Sequence, residues 1–366
     1  MINRKKYDYA VIGAGIAGCV FAFEMSKRGK NVLVVEKRNH IGGNCYIEKQ
    51  GEINVHKYGA HIFKTNDMEL FYYVNSFVKL NNFINTPIAR YKDEVYNLPF
   101  NMNTFCQLFG VTNPEQAREA INKTRVVNNN PKNLEEHCLN IVGRVVYEKL
   151  IKGYTEKQWG RKCTELPVEV MRRIPIRYTF NNNYYNEQYQ GCGIYTEMFE
   201  KMLKCCEVWL NFDYVEHRSQ IDALADKVLY TGSLDELFGY CFGELEYRGL
   251  KFVTEEINTD NHQGVAVVNY TDVNIPYTRT IEHKHFMNDV SDKTIVTAEC
   301  PIKWEKGLER YYPINDEVNN ARYKQYKELA EQNGLLLCGR LAEYRYYDMQ
   351  DTIRSSLELV KKELAR

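Results

Sequence analysis

Three glycines spaced Gly13-x-Gly15-x-x-Gly18 lie between an apolar strand and a helix, and no other feature constrains the chain as much. Tyr7–Ile12 reads as a short buried strand, and residues 16–28 have helical spacing, with Gly29 as a C-cap. Residues 31–35 form a second apolar strand ending at Glu36. A β-α-β unit of this size makes its two strands parallel. The first glycine permits the tight turn. The second lets backbone approach a pyrophosphate seated on the helix N-terminus, and the third allows close packing. Glu36 stands where an acid takes ribose hydroxyls. A bound dinucleotide is the expectation.

The segment Glu36-Lys37-Arg38-Asn39-His40-Ile41-Gly42-Gly43-Asn44 adds a second glycine pair just after the acid. NAD-binding units do not need it. FAD enzymes of the amine-oxidase type often have it, because the chain crosses the pyrophosphate again. The expected cofactor is therefore FAD.

The rest of the chain is long enough for two or three domains at roughly 100–200 residues each. Residues 67–165 are mainly helical, with Pro99, Pro114 and Pro131 as breaks, and a helix starting near Asn133 runs through Ile141, Val145 and Leu150. From about 246 to 304 the pattern is strand-like, at 250–253, 264–270 and 294–299. Residues 322–332 and 352–364 read as helices, and 335–338 as a third apolar strand. That strand lies far from the glycine turn in sequence, so the dinucleotide domain is expected to be built from separated segments.

Composition narrows the partners. Lys+Arg and Asp+Glu both number 48, so no net charge points to nucleic acid or an anionic membrane. No apolar run approaches the ~20 residues of a membrane span. The 11 cysteines are odd in number and contain no CxxC, which suits reduced thiols and a cytoplasmic protein. Any anion site must be a local cluster. Arg172, Arg173, Arg177 and Arg279 are candidates, because the planar guanidinium donates two hydrogen bonds at once to a diphosphate. His283 and His285 would share one face of a strand, but with no acidic or Cys partner nearby no metal is expected.

Beyond these readings, the chain resembles the bacterial UDP-galactopyranose mutase family over nearly its whole length. The resemblance rests on Glu36–Asn44, His56-Lys57-Tyr58-Gly59-Ala60-His61-Ile62-Phe63, Asn97-Leu98-Pro99-Phe100-Asn101, Lys152-Gly153-Tyr154-Thr155-Glu156-Lys157-Gln158-Trp159-Gly160, Ile281–Phe286 and Gly339–Met349. It implies an α/β fold: a discontinuous FAD-binding Rossmann-type domain (1–80, 190–245, 320–366), a helical bundle domain with a mobile lid (101–180), and an antiparallel β-sheet domain (81–100, 181–189, 246–319). It also implies cofactor contacts at Gly13, Gly15, Ala17, Gly18, Glu36, Lys37, Asn44, His61, Ile62, Phe212, Asp213, Gly339, Arg340, Tyr347, Asp348, Met349, Gln350, Asp351 and Thr352. For the substrate it implies Asn85, Leu150, Thr155, Trp159 and Tyr184 at the uridine end. Arg173, Arg279, Tyr312 and Tyr346 would hold the diphosphate, with Asn269 nearby, and Arg173 and Arg279 would serve catalysis.

One departure stands out. The chain runs directly through Gly191-Cys192-Gly193-Ile194-Tyr195, where the family has a longer, proline-containing turn. His61 stands where relatives that also accept UDP-N-acetylgalactosamine have Arg, which points to galactose alone. The implied reaction is interconversion of UDP-galactopyranose and UDP-galactofuranose, by reduced flavin N5 acting as a nucleophile with no net redox change. A homodimer is the expected assembly. The alternatives are an FAD-dependent oxidoreductase of the amine-oxidase type and a non-catalytic binding protein of the same ancestry.

Overall fold

The structure, a computed structural model, describes residues 6–171 and 176–365. One parallel sheet has the order Leu336–Leu337, Ala225–Tyr230, Tyr7–Ile12, Val32–Val35, Glu207–Trp209. Ile12 pairs with Val35 on one side and Tyr230 on the other. Both faces are covered, so the strands are continuous apolar runs rather than alternating ones. Successive residues feed opposite cores, as the two-residue period of a strand requires. Tyr9, Val11, Val32 and Val34 pack with Val20, Phe21 and Met25 of the helix Ile16–Ser26. Ala10, Ile12, Leu33 and Val35 pack with Tyr230 and Tyr326 on the other face. The separated strand expected near 335–338 does join this sheet, as Leu336–Leu337 beside Ala225–Tyr230.

A second sheet has the order Tyr312–Pro313, Tyr247–Ile257, Thr294–Lys303, Arg279–Glu282, Val267–Tyr270, Ile88–Tyr91, Glu94–Asn97. It is antiparallel except where Val267–Tyr270 meets Ile88–Tyr91 in parallel. This is the antiparallel sheet that the resemblance implies, with one parallel junction. Those two strands are far apart in the chain, and no hairpin forces them to oppose.

Asparagines start the helices that follow the strand Glu94–Asn97. Asn101, Asn113 and Asn133 each accept a backbone N–H from the first turn of Met102–Phe109, Pro114–Thr124 and Leu134–Ile141. The helix expected to run on through Val145 and Leu150 is interrupted after Ile141. Gly143 there has φ +76°, and a Cβ on it would lie 2.2 Å from Thr124 Oγ1, so the glycine lets two helices touch. Tyr147–Lys152 continues as a π-helix, followed by the helix Gly153–Trp159.

His283 and His285 are not on a strand. The strand Arg279–Glu282 ends before them, and His283 is the N-cap of the short helix Lys284–Met287. His285 also has an acidic neighbour that was not foreseen, with Nε2 3.1 Å from Glu282 Oε2. Among the described residues no three metal-ligating side chains cluster, and no helix is long and apolar enough to cross a membrane. The turn Gly191-Cys192-Gly193-Ile194-Tyr195 is tightly seated. A Cβ on Gly191 would lie 2.2 Å from Asn81 O, and one on Gly193 would lie 2.8 Å from Val78 Cγ2. All 11 cysteines are free.

Candidate active site

The turn from Ile12 to Ile16 shapes one end of a long cleft. Gly13 has φ +101°, and a Cβ on it would lie 2.1 Å from Thr231 Oγ1. A Cβ on Gly18 would lie 2.0 Å from Gly13 O, so this glycine lets the helix pack under the turn. Gly15 differs, because its Cβ would meet only Gly43 Cα, at 3.8 Å. Its open side faces the cleft, at the N-terminus of the helix Ile16–Ser26, where unpaired N–H groups favour an anion. The second glycine pair folds back onto the first turn. Gly42 N donates to Ala14 O at 2.7 Å, and a Cβ on Gly43 would lie 2.9 Å from Gly15 Cα.

Glu36 is buried at the end of Val32–Val35, with Oε2 accepting from Ala14 N at 2.8 Å and Oε1 from Arg38 N at 2.9 Å. Arg38 pairs with Glu309 at 2.6 Å and lies over the Tyr58 ring, yet its Nη1 is buried without a partner in the wall of the cleft. Phe212, Asp213, Thr231, Arg310, Gly339 and Thr352 complete that wall.

At its inner end the cleft meets a second one. Asn44, His61, Arg340, Asp348 and Met349 line both. The second adds Ile62, Lys64, Tyr185, Arg279, Tyr311, Tyr312, Tyr346 and Gln350. Arg340 is fixed by Tyr347 O at 3.0 Å and Tyr311 O at 3.2 Å. The Tyr312 and Tyr346 rings lie 5.4 Å apart. Arg279 Nη2 is 2.8 Å from Glu299 Oε2. Lys64 joins Glu187 and lies 3.5 Å from Asp348. Burial lowers the His61 pKa to about 4, and the charges of Arg340 and Arg279 push the same way, against a hydrogen bond to Gly59 O. Its ring is therefore neutral near pH 7.

A family model described as UDP-galactopyranose mutase matches residues 149–346, and a Rossmann-like NAD(P)-binding model matches 11–77. The chain belongs to the UDP-galactopyranose mutase family. A probable UDP-galactopyranose mutase of Klebsiella pneumoniae is 34% identical over 98% of this chain and 94% of its own length. A dTDP-fucopyranose mutase of Escherichia coli is 32% identical over 95% of this chain and 96% of its own. A solved structure of reduced UDP-galactopyranose mutase shares the fold, with TM-score 0.74 at 14% identity over 98% of this chain and 96% of that one.

The cofactor of this mutase family is FAD, and the first cleft fits it. The open face of Gly15, the helix N-terminus and the orphaned Arg38 donor are what a pyrophosphate-bearing dinucleotide requires.

Of the expected cofactor residues, Gly13, Gly15, Ala17, Glu36, Lys37, Asn44, His61, Phe212, Asp213, Gly339, Arg340, Asp348, Met349 and Thr352 line the first cleft. Ile62 and Gln350 line the second. Gly18, Tyr347 and Asp351 line neither. Gly18 packs under Gly13, the Tyr347 carbonyl holds Arg340, and Asp351 closes a capping box with Asp348 at the start of Met349–Leu364. Of the expected substrate residues, Arg279, Tyr312 and Tyr346 come together. Asn85, Leu150, Thr155, Trp159, Tyr184 and Asn269 line neither cleft. Leu150 and Thr155 are buried in and beside the helical core, whereas Asn269 pairs directly with Arg279. Arg173 lies outside the described residues.

Sequence reading missed Arg38, Tyr58, Lys64, Tyr185, Thr231, Glu299 and Arg310. Arg38 was the most accessible of these, since it lies inside the glycine-pair segment. Tyr58 and Lys64 lie in and beside the His56–Phe63 stretch, and the others are brought in by strands and loops distant in sequence.

Proposed function

We propose that this protein interconverts UDP-galactopyranose and UDP-galactofuranose as a reduced flavoenzyme, with no net change in redox state. One observation carries the reading: the dinucleotide cleft runs, through His61 and Arg340, into a second cleft lined by cations and tyrosines. That lining suits a sugar attached to a diphosphate. When bound and reduced, FAD supplies an electron-rich ring nitrogen able to act as a nucleophile at an anomeric carbon.

The chain's own residues do the rest. Arg279, held rigid by Glu299, donates to the diphosphate and stabilises the charge it gains on leaving. Arg173 shares that role. Tyr312 and Tyr346 flank the diphosphate, while Asn85, Thr155, Trp159 and Tyr184 take the nucleoside. His61, neutral, packs at the junction without adding a charge that would compete with the arginines. The flavin part, the helical part with its lid and the sheet part divide this labour at the boundaries given above, and the enzyme works as a homodimer in the cytoplasm.

The test is to incubate dithionite-reduced protein with UDP-galactofuranose and follow the pyranose by chromatography. The reduced protein should bring the two forms to equilibrium without consuming reductant, and the oxidised protein should be nearly inactive. Equal turnover by the oxidised protein would overturn the flavin role. A second reading has support from the dTDP-fucopyranose mutase match, which is almost as strong as that to the UDP-galactopyranose mutase. Turnover of dTDP-fucopyranose alone would replace the substrate and leave the reaction class standing.

A further inference from the structure

A single ammonium group joins the helix that carries Thr155 and Trp159 to the loop between Asn269 and Arg279. Lys157 Nζ lies 2.8 Å from Tyr270 O, 2.7 Å from Asp272 O, 3.0 Å from Ile275 O and 2.9 Å from Tyr277 O. All four are backbone carbonyls of one loop, sharing the three N–H donors of one ammonium. Among the described residues Lys157 makes no ion pair with a carboxylate; backbone carbonyls surround the charge, and the Asp272 carboxylate attracts it from further off.

The surrounding backbone is interlocked. A Cβ on Gly153, one turn earlier in the same helix, would lie 2.2 Å from Thr271 O, so helix and loop touch directly. Arg248, on the strand Tyr247–Ile257, answers from the other side with bonds to Gln158 O at 2.9 Å and Lys157 O at 3.3 Å. The two ends of the loop are tied independently, with Thr271 N bonding Arg90 O at 2.9 Å and Thr278 N bonding Glu299 O at 3.0 Å, so Lys157 acts on the turn they bracket. Tyr270 N bonds Thr278 O at 2.8 Å, Ile275 N bonds Asp272 O at 3.3 Å, and Asn274 N bonds Asp272 Oδ1 at 2.9 Å. Four carbonyls aimed at one point repel one another unless a cation lies between them. Arg279 follows the loop within two residues.

We propose that Lys157 is a positioning residue. Its ammonium gathers the loop around a built-in cation, and so sets Asn269 and Arg279 against Thr155 and Trp159. The diphosphate end and the nucleoside end of the substrate are thereby held in one register. This rests on the reading of the substrate as a nucleotide sugar, and adds a residue that touches neither substrate nor cofactor.

The test uses the full-length flavoprotein. Lys157→Ala should keep its flavin and raise KM by about 10–100-fold, the loss expected for a set of charge-assisted hydrogen bonds, with a smaller fall in kcat. n-Propylammonium chloride, which can refill both the vacated stem and the carbonyl cage, should restore most of the loss. Tetramethylammonium chloride at equal ionic strength donates no hydrogen bond and should restore none. Lys157→Met, which keeps the stem but not the charge, should match the alanine variant without amine rescue. Two results overturn the proposal: both variants within about twofold of wild type in KM, or a loss in Lys157→Ala that propylammonium leaves untouched. Calorimetric titration with UDP separates this from the function reading. If the wild type isomerises no nucleotide sugar, the function reading fails, and UDP affinity still decides the role of Lys157. An unchanged UDP affinity in Lys157→Ala would then reject it.

Discussion

Arg279 stands directly opposite Glu299 on the neighbouring antiparallel strand, with Nη2 2.8 Å from Oε2. Asn269 faces Arg279 from the strand on its other side. Glu299 is buried, so the guanidinium is held on one edge and presents the other to the cleft. Arg279→Lys keeps a cation for Glu299 but gives up the planar fork. The expected result is a kcat/KM lower by about 10–150-fold, equivalent to ~1.5–3 kcal/mol, with flavin content unchanged. Steady-state kinetics near the wild-type values would remove Arg279 from the substrate.

Gly15 and Gly18 belong to one turn but should fail differently. Gly15 has an ordinary backbone conformation (φ −80°), and protein atoms leave its Cβ position open. Gly15→Val should therefore fold normally and bind no flavin, because the side chain occupies the pyrophosphate's approach. Gly18→Ala places a methyl 2.0 Å from Gly13 O and should lose about 1–3 kcal/mol of stability. Circular dichroism melts together with flavin absorbance distinguish the two; a flavin-loaded Gly15→Val protein would move the cofactor elsewhere.

Two buried histidines tie stability to pH. His283 Nδ1 accepts from His56 N at 3.2 Å, and His56 Nδ1 accepts from His61 N at 3.1 Å, so both rings are neutral with the proton on Nε2. Burial lowers the His283 pKa to about 3 and that of His56 well below its ordinary value. Below about pH 6.5 the unfolded chain takes up protons that the folded chain refuses, so stability is full above that pH and falls as pH drops towards 4. The slope is at most about 1.4 kcal/mol per pH unit for each histidine. Urea midpoints at pH 7 and pH 5 measure it. His283→Asn, whose amide oxygen can replace Nδ1 as acceptor, should show a shallower decline, and an identical decline would mean that His283 is not the group responsible.

The thiols offer a simpler check. Cys205 and Cys241 are exposed, while burial raises the Cys45 pKa to about 12 and that of Cys19 well above its usual value. Ellman's reagent should find those two exposed thiols quickly in the native protein. Without reductant, the denatured protein should give 11. A shortfall in denaturant would reveal a disulfide that the fold does not contain.

The cofactor half of the site was legible because its requirements are local. A tight turn, a close backbone approach and a helix start within a few residues demand glycine at fixed spacing, and only that pattern satisfies them. The second glycine pair was legible for the same reason, and it now lies against the first turn at Gly15 and Gly43. The helix start at Asn133 follows the same rule of short range.

Tertiary structure alone decided the rest. The parallel junction of Val267–Tyr270 with Ile88–Tyr91, the break at Gly143 and the short helix after Glu282 depend on what each segment packs against. Glu299 reaches Arg279 through strand register, which no spacing within either segment encodes. Lys157 is the extreme case: its partners are main-chain carbonyls, and because every residue carries one, no side-chain pattern could have marked them.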